Sequence, residues 1–504
     1  MIFGFLPQNL KTQAVAVAFS IAWLEGEVEP QPDDDQVRGW LAAFRQELYG
    51  CFTSRADALF DLADAVLCAE GPVKTLVGLS LAPEHRRGHG GLYDAVNAGR
   101  IDVARLRRSL AALPLPAWPD GRIRLAVDVS NWLRPDAATS PERMFCHVYG
   151  RGRGSAQMIP GWPYSVVAGL ESGRTSWTAV LDAVRLGPAD DVTEVTAAQV
   201  REVVARLAEA GHWREGDPPI LVVFDAGYDI MHLAFLLAGL PVEVLGRLRS
   251  DRVLYFPAPP GRRDGRPGRR PRHGPQFRLA DQAAWPCPAV TTTTQTTRYG
   301  TAAAWAWDRL HPKLERRDGW KHHTGGLPLI EGTLIRLAVD HLPGDRDAKP
   351  VWLWSSATSL AAAGVDLLWQ AFLRRFDLEH TFRLFKQVLG WTTPKIRSPA
   401  AADRWTWLII AVYAQLRLAR PLAADLRRPW EPPSPPGRLT PARVRRGFRR
   451  LRTMAPCPAS APKPGKPGPG RPSGSKNRHP ATRHDVGKNH NKTTRTSSGK
   501  KVRG

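Results

Sequence analysis

Four residues near position 380, Phe372, Arg375, Glu379 and Lys386, are spaced F-x2-R-x3-E-x6-K. At roughly 100° per residue they fall within an arc of about 60° on one face of an α-helix. A carboxylate flanked there by Arg and Lys suits a site that must hold a metal ion and a phosphate together. The competing reading is a solvated face with an ordinary i,i+4 pair between Arg375 and Glu379. Two more acids close hydrophobic runs, Asp128 in Ile123-Arg124-Leu125-Ala126-Val127-Asp128-Val129 and Asp225 in Ile220-Leu221-Val222-Val223-Phe224-Asp225. Both runs read as buried strands, where an unpaired carboxylate is costly. Together Asp128, Asp225 and Glu379 form the all-oxygen donor set that hard Mg²⁺ or Mn²⁺ prefers. Two such ions about 3.5–4 Å apart can activate a water or 3′-hydroxyl and stabilise the leaving oxygen of a phosphodiester.

The order Asp, Asp, Glu, the D-x-G-Y formed by Asp225, Gly227 and Tyr228, and the helical signature resemble the DDE transposases of bacterial insertion sequences. Within that superfamily the chain is similar to the group whose last acid lies in Y-x2-R-x3-E-x6-K. Here Phe372 replaces the Tyr, which removes a hydroxyl and keeps an aromatic ring for packing. The motifs span residues 123 to 386. The resemblance implies catalytic, metal-holding roles for Asp128, Asp225 and Glu379 with two Mg²⁺ ions, Mn²⁺ being the substitute. Arg375 and Lys386 are expected at DNA phosphates, with Gly227, Tyr228 and Phe372 supporting the site. Asp229 is the rival to Asp225, and His380 points about 100° away from Glu379 and is expected to be structural.

The charge fits a polyanion partner. The 504 residues carry a formal net charge of +24, a balance that points to nucleic acid rather than to a small-molecule substrate. The apolar stretch from Thr12 to Leu24 is too short to span a bilayer and lacks a secretory leader's basic start, so no membrane role is expected. Cys51, Cys68, Cys146, Cys287 and Cys457 show no C-x-x-C spacing, which argues against a zinc site or disulfide framework and for a reducing cytoplasm, at the nucleoid.

These elements predict an α/β chain with an RNase H-like mixed-sheet catalytic core. Residues 1–115 carry helical periodicity, including Trp40, Leu41, Phe44 and Leu48, and are expected to form a helical domain, for which the resemblance alone implies DNA binding at the terminal inverted repeats. Its turn His85-Arg86-Arg87-Gly88-His89 is either a DNA contact or a solvated loop. Residues 116–248 should give the first part of the core, with strands at 123–129, 142–150 and 164–171, a helix at 197–210, and strands at 220–225 and 242–248. A β-rich insertion is expected over 249–349, with strands at 252–256, 290–297 and 333–339. It contains the basic loop 262–272, whose Arg269 and Arg270 are candidate DNA contacts. Residues 350–430 complete the core with the Glu379 helix.

Residues 431–504 are expected to be a basic disordered tail, because from Gly437 onward 19 Lys and Arg face one acid, Asp485, among many Pro, Gly and Ser. Gly470-Arg471-Pro472 partly resembles an AT-hook; the tail reads mainly as a phosphate-binding arm, with Arg471 the residue placed on DNA. Of the 18 tryptophans, Trp352 and Trp354 are nearest the Glu379 helix and are candidates to stack on a displaced base, against a default of core packing. The implied partners are double-stranded DNA, as terminal inverted repeats and target, and a second copy of the chain on that DNA. The competing functions are another RNase H-like nuclease, which cuts without joining, and a noncatalytic DNA-binding relic.

Overall fold

The computed structural model describes residues 33–116, 118–148, 157–172, 175–259, 271–342, 348–434, 438–463, 474 and 479–487. The segment Thr12 to Leu24, Arg269, Arg270 and Arg471 lie outside the described residues. No helix among the described residues is long and apolar enough to cross a membrane. All five cysteines are free.

The described residues open with helices α1 (Asp34–Cys51), α2 (Ala56–Cys68), α3 (Leu76–Ser80), α4 (His89–Ala98) and α5 (Val103–Ala111), with a short pair of strands, β1 (Phe52–Ser54) and β2 (Arg100–Ile101), between them. Asp33 caps α1 by accepting from the Gln36 N–H at 2.7 Å, and the stripe Val37, Leu41, Phe44 and Leu48 is buried. Then come β3 (Arg124–Leu133), β4 (Met144–Val148), β5 (Gln157–Leu170), β6 (Thr178–Arg185), α6 (Val192–Glu209), β7 (Ile220–Phe224), α7 (Ile230–Leu236) and β8 (Val242–Leu248). The next strands are β9 (Val253–Pro257), β10 (His273–Arg278), β11 (Val290–Thr296), β12 (Gly300–Leu310), β13 (Gly332–Val339) and β14 (Val351–Ser355). The last elements are α8 (Ala362–Arg374), α9 (Phe376–Gln387), α10 (Pro399–Ala419) and α11 (Pro441–Met454).

Ten strands form one mixed sheet in the order β11-β12-β13-β14-β8-β7-β3-β5-β4, with β6 paired to β5. β3 sits at its pivot, parallel to β7 on one side and antiparallel to β5 on the other. Alternate residues divide the core: Leu125, Val127, Val222 and Phe224 pack with α6 and α7, whereas Ala126 and Val223 face the opposite layer. In that layer α8 covers β7, β8, β11 and β12, while α9 covers β3, β5 and β6. The α8–α9 junction therefore falls over the boundary between β3 and β7.

Four expectations need correction. A fourth strand, β6, precedes α6, and β10, β12 and β14 are also additional. β11 to β13 of the expected insertion extend the main sheet, and only β9 and β10 pair apart from it. The signature does not lie on one helix: at Arg375 the N–H bonds to the Phe372 carbonyl at 3.1 Å and the Leu378 N–H to the Arg375 carbonyl at 3.0 Å, three-residue spacings that separate α8 from α9.

The tail is the fourth. Residues 441–454 form α11, whose Val444, Phe448 and Leu451 are buried and five of whose six arginines find internal partners, so composition alone misjudged this segment. Arg445 donates to the Val66 and Gly71 carbonyls at 2.9 and 2.7 Å, and Arg449 to Glu84 at 2.8 Å. Farther on, the His484 N–H donates to the Ala138 carbonyl and the Gly487 N–H to that of Arg143, each at 2.9 Å.

Candidate active site

Asp128 lies within β3, two residues after Ala126 and on the same face. Asp225 follows the last residue of β7, and the parallel pairing of Ala126 with Val223 brings the two acids side by side. Glu379 enters from the first turn of α9, and all three converge on one guanidinium. Arg375 Nη1 donates to Asp128 Oδ2 at 2.9 Å, while its Nη2 lies 3.3 Å from Glu379 Oε1 and 3.4 Å from Asp225 Oδ2. Arg375 is 2% exposed and is flanked by the rings of Phe372 and Phe376, at 5.9 and 5.2 Å.

The site has a buried floor and an open mouth. Asp128 Oδ1 accepts from the Val129 N–H at 2.8 Å; burial pushes its carboxyl up to about 6, with Arg375 and that N–H opposing the rise and Asp225 and Glu379 adding to it. Glu379 and Asp225 are more open, their side chains 49% and 36% exposed. Asp225 Oδ1 is nonetheless a buried atom without a hydrogen-bond partner among the described residues. Lys386 is half buried, 5.8 Å from the Trp391 ring, with no carboxylate at ion-pair distance among the described residues. Burial lowers its pKa, opposed by Asp128 and the Cys146 thiol.

The sequence profile described as DDE superfamily endonuclease matches residues 47–313. The chain belongs to that family. The matched span contains Asp128 and Asp225 and ends before Glu379. No curated protein matches the sequence. For a DDE endonuclease, a substrate of DNA and phosphodiester cleavage follow from the family.

The donor set of this endonuclease suits a hard divalent cation, because three carboxylates from separate elements already face one cationic group. As they stand the acids surround the guanidinium, and among the described residues no three His, Cys, Asp or Glu side chains are close enough together to enclose a metal ion. Tyr228 lies on the Phe224 ring at 5.2 Å; burial, followed by Asp128, raises its pKa, opposed by the Ser165 hydroxyl beside it. Gly227 is exposed, and a Cβ there would meet nothing within 4 Å. The fold alone does not require glycine at this position, whereas close approach of a substrate backbone would.

Several other candidates take structural places. Asp229 caps α7, accepting from the His232 N–H at 3.2 Å. Arg86 and Arg87 of the basic turn pair with Asp61 and Asp57. His380, by contrast, is exposed and lines, with Arg383, a cavity of about 200 Å³ that includes none of the three acids. Trp352 and Trp354 are 5% and 0% exposed; Trp354 Nε1 donates to the Leu310 carbonyl at 3.1 Å, and Trp352 lies among Phe277, Trp285 and Trp307. Both are core residues and are unavailable to a base.

Sequence reasoning missed Phe376, the exposed aromatic next to Arg375, and Arg298. The β11–β12 turn brings Arg298 close enough to act electrostatically on Asp377 and His380. No local motif marks Arg298, whereas Arg383, four residues after Glu379, was legible by helical spacing.

Proposed function

We propose that this DDE endonuclease is the transposase of an insertion sequence, cutting at the element's ends and joining the freed 3′-hydroxyl to target DNA. The observation that carries the reading is the convergence of Asp128, Asp225 and Glu379, in the order Asp, Asp, Glu, on one point over the β3–β7 boundary. The three acids would hold two Mg²⁺ ions, or Mn²⁺, which when bound supply activation of the attacking hydroxyl and charge stabilisation at the leaving oxygen. Asp128, Asp225 and Glu379 act as oxygen donors and form no covalent bond to DNA.

Lys386, with no carboxylate at ion-pair distance among the described residues, holds a phosphate beside the acids as a point charge, and Arg375 can grip one in bidentate fashion. Gly227 keeps the rim open for the DNA backbone, and Tyr228 and Phe372 pack beneath it. In this reading the helices of residues 1–115 recognise the terminal inverted repeats, and the basic segments containing Arg269, Arg270 and Arg471 add phosphate contacts whose strength falls with salt. Residues 116–248 and 350–430 supply the RNase H-like core, and β11 to β13, between the second and third acids, widen its sheet. The protein works as a dimer on paired ends, in the cytoplasm at the nucleoid.

The deciding experiment is excision and joining of a DNA fragment bearing the element's ends, with Mg²⁺ or Mn²⁺, in wild type, Asp128→Ala, Asp225→Ala and Glu379→Ala. Metal-dependent cutting and joining that disappears in all three variants, with DNA binding retained, is the expected result. Cutting without joining would make the chain a nuclease of another kind. Cutting that survives loss of the acids would place the chemistry elsewhere, and binding without chemistry would identify a relic.

A further inference from the structure

Arg375 has a more specific relation to the acids than a phosphate-gripping residue requires. Its guanidinium reaches an oxygen of each of the three carboxylates, at 2.9, 3.3 and 3.4 Å, and its Nε is buried without a partner among the described residues. One positive charge thus faces three carboxylates on two strands and a helix, and Asp128 and Asp225 gain much of their compensation from it. A divalent ion on the same oxygens would sit at about 2.0–2.1 Å. Arg375 takes one oxygen of each carboxylate, so a divalent ion that coordinates those same oxygens must displace it.

The surroundings provide an exit for the guanidinium. Arg375 stands at the α8–α9 junction, where the regular helical ladder is interrupted, and Glu379 and Asp225 line an open mouth. Phe372 and Phe376 offer ring faces along the way, Phe376 being 46% exposed. A DNA phosphate arriving at that mouth offers Arg375 a bidentate anionic partner.

We propose that Arg375 is an exchangeable counter-ion of the acid cluster: it competes with the divalent ion for the carboxylate oxygens, and a DNA phosphate draws it off, which makes metal binding depend on DNA. The proposal rests on the assignment of Asp128, Asp225 and Glu379 as metal-holding acids. It implies reciprocity, since whatever factor DNA adds to metal affinity the metal must add to DNA affinity. It differs from a static role, in which Arg375 holds the acids in place and its loss weakens metal binding.

The test measures Mn²⁺ binding to the full-length protein by electron paramagnetic resonance, with and without a generic duplex oligonucleotide, for wild type, Arg375→Gln, Arg375→Lys and the double variant Asp128→Asn/Asp225→Asn. The duplex should tighten Mn²⁺ binding to wild type by about tenfold, a coupling typical of linked sites. Arg375→Gln should bind Mn²⁺ about tenfold more tightly than wild type without DNA, and the duplex should then add less than about threefold. Arg375→Lys, which keeps the charge and loses the fork, should fall between. If circular dichroism shows that Arg375→Gln is unfolded, Arg375→Lys carries the comparison by itself. Mn²⁺ binding by the Arg375 variants that equals or falls below that of wild type overturns the exchange. Mn²⁺ binding that is unchanged in the double acid variant overturns instead the assignment of the acids.

Discussion

Arg452 Nε donates to Asp64 Oδ2 at 2.8 Å, joining the C-terminal helix α11 to α2 across 388 residues of sequence. Asp64 is fully buried and also receives Arg45 Nη1 at 2.8 Å, so one carboxylate compensates two guanidiniums. Breaking a buried pair by removing one partner typically costs about 3–5 kcal/mol. Asp64→Ala should therefore lower the urea midpoint strongly and expose α11 to limited proteolysis. Arg450→Ala, at an exposed position of the same helix, should leave both unchanged. Equal effects of the two changes would mean that α11 is held by its apolar stripe alone.

The α11 latch also shows where the sequence was legible. Asp128 and Asp225 could be found because each follows a short apolar run whose burial makes an acid conspicuous. β12 gave no such signal: Ala302, Ala304 and Ala306 alternate toward α8 and read equally well as a helix. In β6 the buried Asp182 looks polar until its partners Arg107 and Arg206 are brought from α5 and α6. α11 reads as disordered from its six arginines, because the Val66 carbonyl, Glu84 and Asp64 that receive Arg445, Arg449 and Arg452 lie hundreds of residues away. The interruption at Arg375 has neither Pro nor Gly to announce it.

Lys386 provides a test of the phosphate assignment that is separate from catalysis. Its burial disfavours the charged form, so Lys386→Met should preserve or slightly raise thermal stability. Loss of one phosphate contact should reduce the slope of log K against log salt for duplex binding by about 0.9. A lysine that only fills space beside Trp391 would leave that slope untouched, as measured by fluorescence anisotropy over a salt series.

His273 Nδ1 and His311 Nε2 lie 2.9 Å apart where β10 meets the end of β12. Burial lowers both pKa values from the ordinary 6.5; Arg272 and Lys313 add to this at His273, and His273 and Arg272 at His311, where Glu331 and the Arg309 backbone oppose it. Below 6.5 the unfolded chain binds more protons than the folded one, so stability falls as pH drops through that range. His273→Gln, which does not titrate, should flatten the decline of melting temperature between about pH 6.5 and 5. Superimposable curves for wild type and variant would remove the pair from the pH response.

The aromatic residues can be separated by exposure. Trp354 is fully buried with its indole N–H satisfied, and Trp354→Ala should cost about 3–5 kcal/mol of stability, as large core truncations do. Phe376 leaves nearly half its surface open beside Arg375, so Phe376→Ala should change stability by no more than about 0.5 kcal/mol. If DNA reaches the acid cluster, this ring is the face available to a nearby base, and its loss should weaken binding of a DNA end with unpaired bases by about 1–3 kcal/mol. Fully paired duplex should be affected less. Equal loss on both substrates would indicate that Phe376 acts through the position of Arg375, and no loss on either would place the DNA away from this side of α9.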